Sequence, residues 1–326
     1  MTDICKVETN RNMSSLSSMT FEGTEAYRLK NEFLEVIVIP DHGGKAVSIK
    51  YLPADFELLF QNPYGIFRQA KRGDSFSDYE ACGADDAFPT IDACCVKVGD
   101  RYVEYPDHGE IWSARFKTES HDNGLTLSWI SPTLGYHYLK KYKVEKNSLK
   151  LQYQIENPGD IDIPAIWTLH CLVNVEPDMR IILPKVEGIF ENVFACEKLG
   201  NAGRKFHCPE KDNNGNEIDL FRIPDHGMYK FYIVDRVSEG RCGYEYVHSG
   251  VKVTYRYLKD ILPYLGFWVT AGGYRGDVNC ALEPSNGYYD NIPLAMKNDK
   301  CPVLHAGETW KIEISITLDS LIGDNS

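Results

Sequence analysis

The sequence predicts an all-β protein, a large antiparallel β-sandwich with few short helices. Apolar and polar residues alternate with a period of two along several segments, the spacing that buries one face of a strand and wets the other. Clusters of turn-forming residues separate these segments, and no long stripe of period 3.6 marks a helix. Many short strands with few helices satisfy their buried faces by packing sheet on sheet.

The first twenty residues are polar and serine-rich without periodicity, so a loosely held tail over 1–20 is expected ahead of one sandwich domain over 21–326. Strands are expected at 34–39 and 46–52, divided by the turn Asp41 to Gly44, and at 112–117. Leu125, Leu127 and Trp129 form the next alternation, followed by 137–144. Leu149, Leu151, Tyr153 and Ile155 then interleave with Lys150, Gln152, Gln154 and Glu156, which predicts a half-buried strand. Further strands are expected at 163–173, 230–234, 243–247, 251–257, 265–270 and 279–282. The alternation of Trp310, Ile312, Ile314, Ile316 and Leu318 closes the fold. Between them, 201–219 is rich in Asn, Gly and Lys and reads as a long exposed loop.

Composition narrows the class of function. In 326 residues, 43% are hydrophobic and 25% charged, a globular mixture without an apolar run of membrane-spanning length. The 47 acidic against 35 basic side chains give a net charge of −12, which disfavours a nucleic-acid partner. The ten cysteines show neither the spacing of a disulfide scaffold nor repeated CxxC zinc ligands, so no metal site is expected. Without an apolar secretory core near the start, the expected compartment is the cytoplasm, with Cys94 and Cys95 as buried core residues. The expected chain is a monomer or homodimer.

Three islands gather titratable groups beside prolines, glycines and aromatics, the mixture found where loops and strand ends shape a cleft. They are Tyr105 to Trp112 (YPDHGEIW), Trp167 to Asn174 (WTLHCLVN) and Leu282 to Asn291 (LEPSNGYYDN). His170 lies in an apolar strand, where one good hydrogen bond would satisfy a core imidazole. Glu283 follows Cys280-Ala281-Leu282 and precedes Pro284, so a carboxylate is expected at the edge of a buried strand, where a charge must be paired or used.

In this order, a His-Gly motif, a His within a strand and a Glu near a late strand, the islands resemble the aldose 1-epimerase (galactose mutarotase) family. The resemblance runs loosely from Phe21 to the final strand, where His305 to Trp310 (HAGETW) resembles the family's closing turn. Ala87 to Asp92 (AFPTID) and Tyr264 to Asp277 (YLGFWVTAGGYRGD) look more like a less characterised branch of it. The resemblance implies the galactose mutarotase-like supersandwich and interconversion of the α and β anomers of a free sugar without a cofactor. It also implies Glu283 as base, His170 as acid, and His108 holding the sugar and assisting at its ring oxygen. For sugar binding it implies Asp225, in PDHGMY, and Arg68, with Arg72 as a neighbouring candidate; Trp268 and Trp112 offer faces for stacking. The chain departs from the family after His170, where Cys171-Leu172-Val173 replaces the usual Pro and aromatic residue.

Two other functions fit the same residues. A carbohydrate-binding protein on this fold would keep the cleft and its aromatics without a matched acid and base. A glycoside hydrolase would need a second carboxylate, for which Asp107 or Glu110 is available. Cysteine chemistry between His170 and Cys171 is disfavoured because adjacent strand residues face opposite ways. Gly272-Gly273 is too short for a phosphate loop; phosphorylated sugars stay open as substrates, with Arg275 or Lys230 as the candidate cation for a phosphate.

Overall fold

A computed structural model describes residues 14–121, 124–184, 188–207, 210–211 and 217–321. Two large antiparallel sheets dominate it. The first runs, edge to edge, through Ser15–Phe21, Thr24–Lys30, Leu34–Ile39, Lys45–Tyr51, Ala84–Ala87, Thr168–Cys171, Val278–Ser285, Tyr264–Ala271, Gly227–Ile233, Ile189–Asn192 and Lys205–His207. The second runs through Arg180–Ile182, Arg241–Tyr246, Val251–Tyr257, Thr309–Ser320, Ser148–Glu156, His137–Glu145, Gly124–Ile130 and Lys117–His121. A single short α-helix, Ile292–Lys297, appears among the described residues, and none there is long and apolar enough to cross a membrane.

Period-two alternation builds the core. Leu149, Leu151, Tyr153 and Ile155 point inward with Ile312, Ile314, Ile316 and Leu318 of the adjacent strand. They meet Leu29, Val36, Val38 and Ile49 from the other sheet. Aromatic residues fill much of the space between, including fully buried Trp167, Tyr138 and Tyr153, since large rings contribute the most apolar area. One charged pair enters this core: Lys140 Nζ lies 2.8 Å from Asp86 Oδ2, and the Tyr153 hydroxyl donates to Asp86 Oδ1 at 2.8 Å.

Several expected elements move. The expected tail is, over 15–20, part of an edge strand. Glu22-Gly23, both at positive φ, close a two-residue hairpin that pairs Ser15–Phe21 with Thr24–Lys30. Its serines sit on an exposed edge, so no alternation is written there. The segment 112–116 is turn and irregular chain rather than strand, the strand beginning only at Lys117, with Trp112 tied back by an indole hydrogen bond to the Asp107 carbonyl. The expected strand 163–173 divides into Ile163–Pro164 and Thr168–Cys171. The expected loop 201–219 contains the strand Lys205–His207, and 208–209 and 212–216 lie outside the described residues. Cys94 is only half-buried and Cys95 is exposed, because their strand, Cys94–Val98, belongs to a small peripheral hairpin.

Candidate active site

Alternation gives the first sheet two distinct faces. Leu169, Cys171, Phe231, Phe267 and Leu282 enter the sandwich core, so their neighbours His170, Lys230, Trp268 and Glu283 face the other way. On that face a cleft of about 690 Å³, including its open mouth, is lined by His108, His170, Lys230, Trp268, Glu283 and Asp290, with Phe76, Asp92, Phe194 and Tyr274 among its walls. The size and the mixture of aromatic walls with a few convergent polar groups suit a small polar ligand.

Strand register brings His170 and Glu283 together. Thr168 pairs with Ser285, and Val173 with Cys280. Both pairings keep one register, which puts His170 opposite Glu283 on neighbouring strands. The row continues on both sides: Asp85 is the partner of His170, Gly266 of Glu283, and Tyr232 of Gly266. Glu283 therefore lies within the strand Val278–Ser285, not at the strand edge expected from the following proline.

Each of the two groups rests on a buried ion pair. His170 Nδ1 is 2.9 Å from Asp85 Oδ1, and Asp85 Oδ2 is 3.1 Å from Lys45 Nζ. Burial alone would raise the Asp85 pKa; Lys45, and then His170, outweigh it and hold the carboxyl well below the ordinary carboxylate range. Burial would likewise lower the Lys45 pKa, and Asp85 reverses this. On the other side, Glu283 is 1% exposed, and its Oε2 is 2.8 Å from Lys230 Nζ. Lys230 also lies 3.0 Å from Asp290 Oδ1, which accepts a 2.7 Å hydrogen bond from the Tyr232 hydroxyl. Burial opposes the Lys230 charge, but Asp290 and Glu283 together keep its pKa above the usual lysine value.

His108 arrives from a turn. Its backbone sits at φ +56°, a left-handed conformation costly for a residue with a side chain. The following Gly109 is required, because a Cβ there would lie 2.0 Å from the Phe88 carbonyl oxygen. Asp107 accepts from His108 Nδ1 at 2.7 Å and from the Phe76 amide at 2.8 Å. Burial would raise the Asp107 pKa, yet the His108 hydrogen bond lowers it below its ordinary value. Phe76 stacks on His108 at 4.0 Å, and the His108 and His170 rings meet edge to face at 5.1 Å.

Of the residues singled out from sequence, Glu283, His170, His108 and Trp268 line this one cleft, whereas Arg68 and Asp225 do not. Arg68 is held by Glu80, with Nε 2.7 Å from Oε1, and its guanidinium covers the Tyr79 ring. Asp225 is exposed in the bend that leads into Gly227–Ile233, a turn use of Asp-His-Gly. Arg72 is paired at 2.7 Å with buried Glu110, which also accepts from Ser131 and Tyr136 and so is committed away from the cleft. Trp112 is buried behind Phe76. Sequence reasoning missed Lys45, Asp85, Asp92, Asp290 and Phe76. The doublet Asp85-Asp86 between small and aromatic residues was a usable signal, since two charges in an apolar strand must both find partners.

The two sheets and the cleft on the outer face of the larger one define a galactose mutarotase-like fold. No family model matches the sequence, nor does any curated protein. Among solved structures, the chain is similar to the Slr1438 protein from Synechocystis sp. PCC 6803, at 15% identity and a TM-score of 0.69 over 93% of this chain and 99% of that one. It is also similar to a galactose mutarotase-like protein from Lactobacillus casei ATCC 334, at 15% identity and a TM-score of 0.68 over 90% and 100% of the two chains. A protein from Escherichia coli K12, named provisionally as an aldose 1-epimerase, gives 17% identity and a TM-score of 0.65 over 94% and 100%. At these identities the likeness is one of fold.

Proposed function

We propose that the protein is an isomerase of the aldose 1-epimerase type, interconverting the α and β anomers of a free sugar by acid/base ring opening. The observation that carries the reading is the placement of His170 opposite Glu283 on adjacent strands of one cleft, with His108 beside them. Glu283 takes the proton of the anomeric hydroxyl, the C1–O1 bond becomes a carbonyl, and the C1–ring oxygen bond breaks. His170 delivers a proton to the departing ring oxygen, assisted by His108. Rotation about the bond to C1 presents the other carbonyl face. On closure His170 recovers its proton from the attacking hydroxyl, and Glu283 returns its own to O1. Trp268 and Phe76 supply apolar faces for the pyranose.

Polarimetry on freshly dissolved α-anomers across a panel of hexoses and pentoses tests this. At least one sugar is expected to mutarotate faster than in buffer, and Glu283→Gln to lose roughly 10²-fold or more of that rate. A panel with no acceleration, or a Glu283→Gln variant at full rate, overturns the mechanism.

One observation favours a second reading, a non-catalytic sugar-binding protein. Lys230 Nζ lies 2.8 Å from Glu283 Oε2, so one oxygen of the carboxylate is already engaged by an ammonium. Calorimetric binding of a sugar whose mutarotation is not accelerated selects this alternative.

A further inference from the structure

Neither Asp85 nor Lys45 lines the cleft, yet the pair lies directly behind His170, which does, and is built to act on its imidazole. Asp85 and Lys45 side chains are only 3% and 5% exposed, and Asp85 bridges the lysine on one oxygen and His170 Nδ1 on the other. A buried aspartate with the imidazole as sole partner would bind an imidazolium so strongly that its proton would be hard to release. With Lys45 present, Asp85 stays ionised whichever form His170 adopts, and an ionised carboxylate only accepts. It therefore keeps the proton on Nδ1 of neutral His170 and leaves Nε2, on the opposite side of the ring, as the atom that exchanges a proton in the cleft.

We propose that Asp85 and Lys45 are positioning residues: Asp85 fixes the His170 tautomer by accepting from Nδ1 and sets a negative charge beside the ring, and Lys45 offsets that charge. The assignment rests on the reading of His170 as the acid. Among the described residues, the other charged groups on the cleft side of His170 are Glu283 on the adjacent strand, with Lys230 and Asp290 behind it, His108 with Asp107 in the turn, and Asp92 in the cleft wall. Asp86, next in sequence to Asp85, turns into the sandwich core to Lys140. Glu80 approaches Lys45 through its carbonyl oxygen at 3.1 Å.

The test is the titration of the His170 ring by nitrogen-detected NMR in the full chain, with Asp85→Asn and Lys45→Met. It needs no sugar, so it stands apart from whether mutarotation is observed. The midpoint of the His170 ring is expected to fall by about one pH unit or more in Asp85→Asn and to rise by a similar amount in Lys45→Met. In the unsubstituted protein the neutral ring should carry its proton on Nδ1. If a sugar is turned over, the His170-dependent limb of the rate profile should move the same two ways. Asp85→Glu, which keeps the charge, should restore the midpoint and keeps the test open where Asp85→Asn does not fold. Shifts of the same sign in both charge-removing variants, no shift in either, or a neutral ring protonated on Nε2 would overturn the proposal.

Discussion

Glu283 and Gly266 are register partners on neighbouring strands, and the missing side chain at 266 creates the space in which Glu283 meets Lys230. A Cβ at Gly266 would lie 3.2 Å from Glu283 Oε2 and 3.1 Å from the Tyr232 ring, and the carboxylate, at the end of a flexible side chain, yields before the fully buried ring does. Gly266→Ala is therefore expected to displace the carboxylate, not to unfold the chain. Any mutarotation should drop roughly tenfold or more through kcat, while the thermal midpoint falls by only a few degrees. An unchanged kcat with a large loss of stability would show that the glycine serves packing alone.

Both cations that a phosphorylated sugar would use are already engaged. Lys230 is shared by Glu283 and Asp290, while Arg275 donates to the Tyr79 carbonyl and to the Tyr64 hydroxyl, each at 2.7 Å. Asp92 adds a further carboxylate to the cleft lining. A hexose 6-phosphate is expected to bind at least about tenfold more weakly than the parent hexose, because like charges brought together cost several kcal/mol. Calorimetric titration of the two ligands checks this, and equal or tighter binding of the phosphate would show that one of these cations is released.

The Lys140 and Asp86 pair lies in the sandwich core, with side chains 1% and 0% exposed. Lys140→Met leaves a buried carboxylate with tyrosine hydroxyls, Tyr138 and Tyr153, but no cation beside it, and is expected to cost about 3–5 kcal/mol in chemical denaturation. The combination Lys140→Met, Asp86→Leu, Tyr153→Phe removes both charges and the Tyr153 hydroxyl together and should recover most of that loss. A triple variant no more stable than Lys140→Met alone would mean that the pair contributes net stability.

Asp85 sets a pH dependence whose sign follows from its depressed pKa. Below about pH 4 the unfolded chain takes up a proton at this residue that the folded chain refuses, so the folded state loses stability as pH falls. Its contribution is complete above about pH 4 and declines progressively at lower pH. Denaturation series at pH 5, 4 and 3 should give a smaller drop in stability for Asp85→Asn than for the unsubstituted chain. An equal drop in both would place the acid sensitivity at other carboxylates.

Much of the framework was legible in the chain itself. The alternations around Leu149 to Ile155 and Trp310 to Leu318 became adjacent central strands with the expected faces inward. His108, His170 and Glu283, brought together by the family resemblance, and Trp268, offered as a stacking face, line one cleft. Arg68 and Asp225 were not placed correctly, since an exposed turn or a surface arginine carries no periodic signal that fixes its direction.

What the sequence determined alone is which residues turn inward and which turn outward, because a strand's two faces follow from its own period of two. The tertiary structure decided which charges meet: residues 45, 85 and 170, and residues 230, 283 and 290, come together only when separate strands pair in one register. Register is a relation between distant segments, and it is set by the packing of the whole sandwich core.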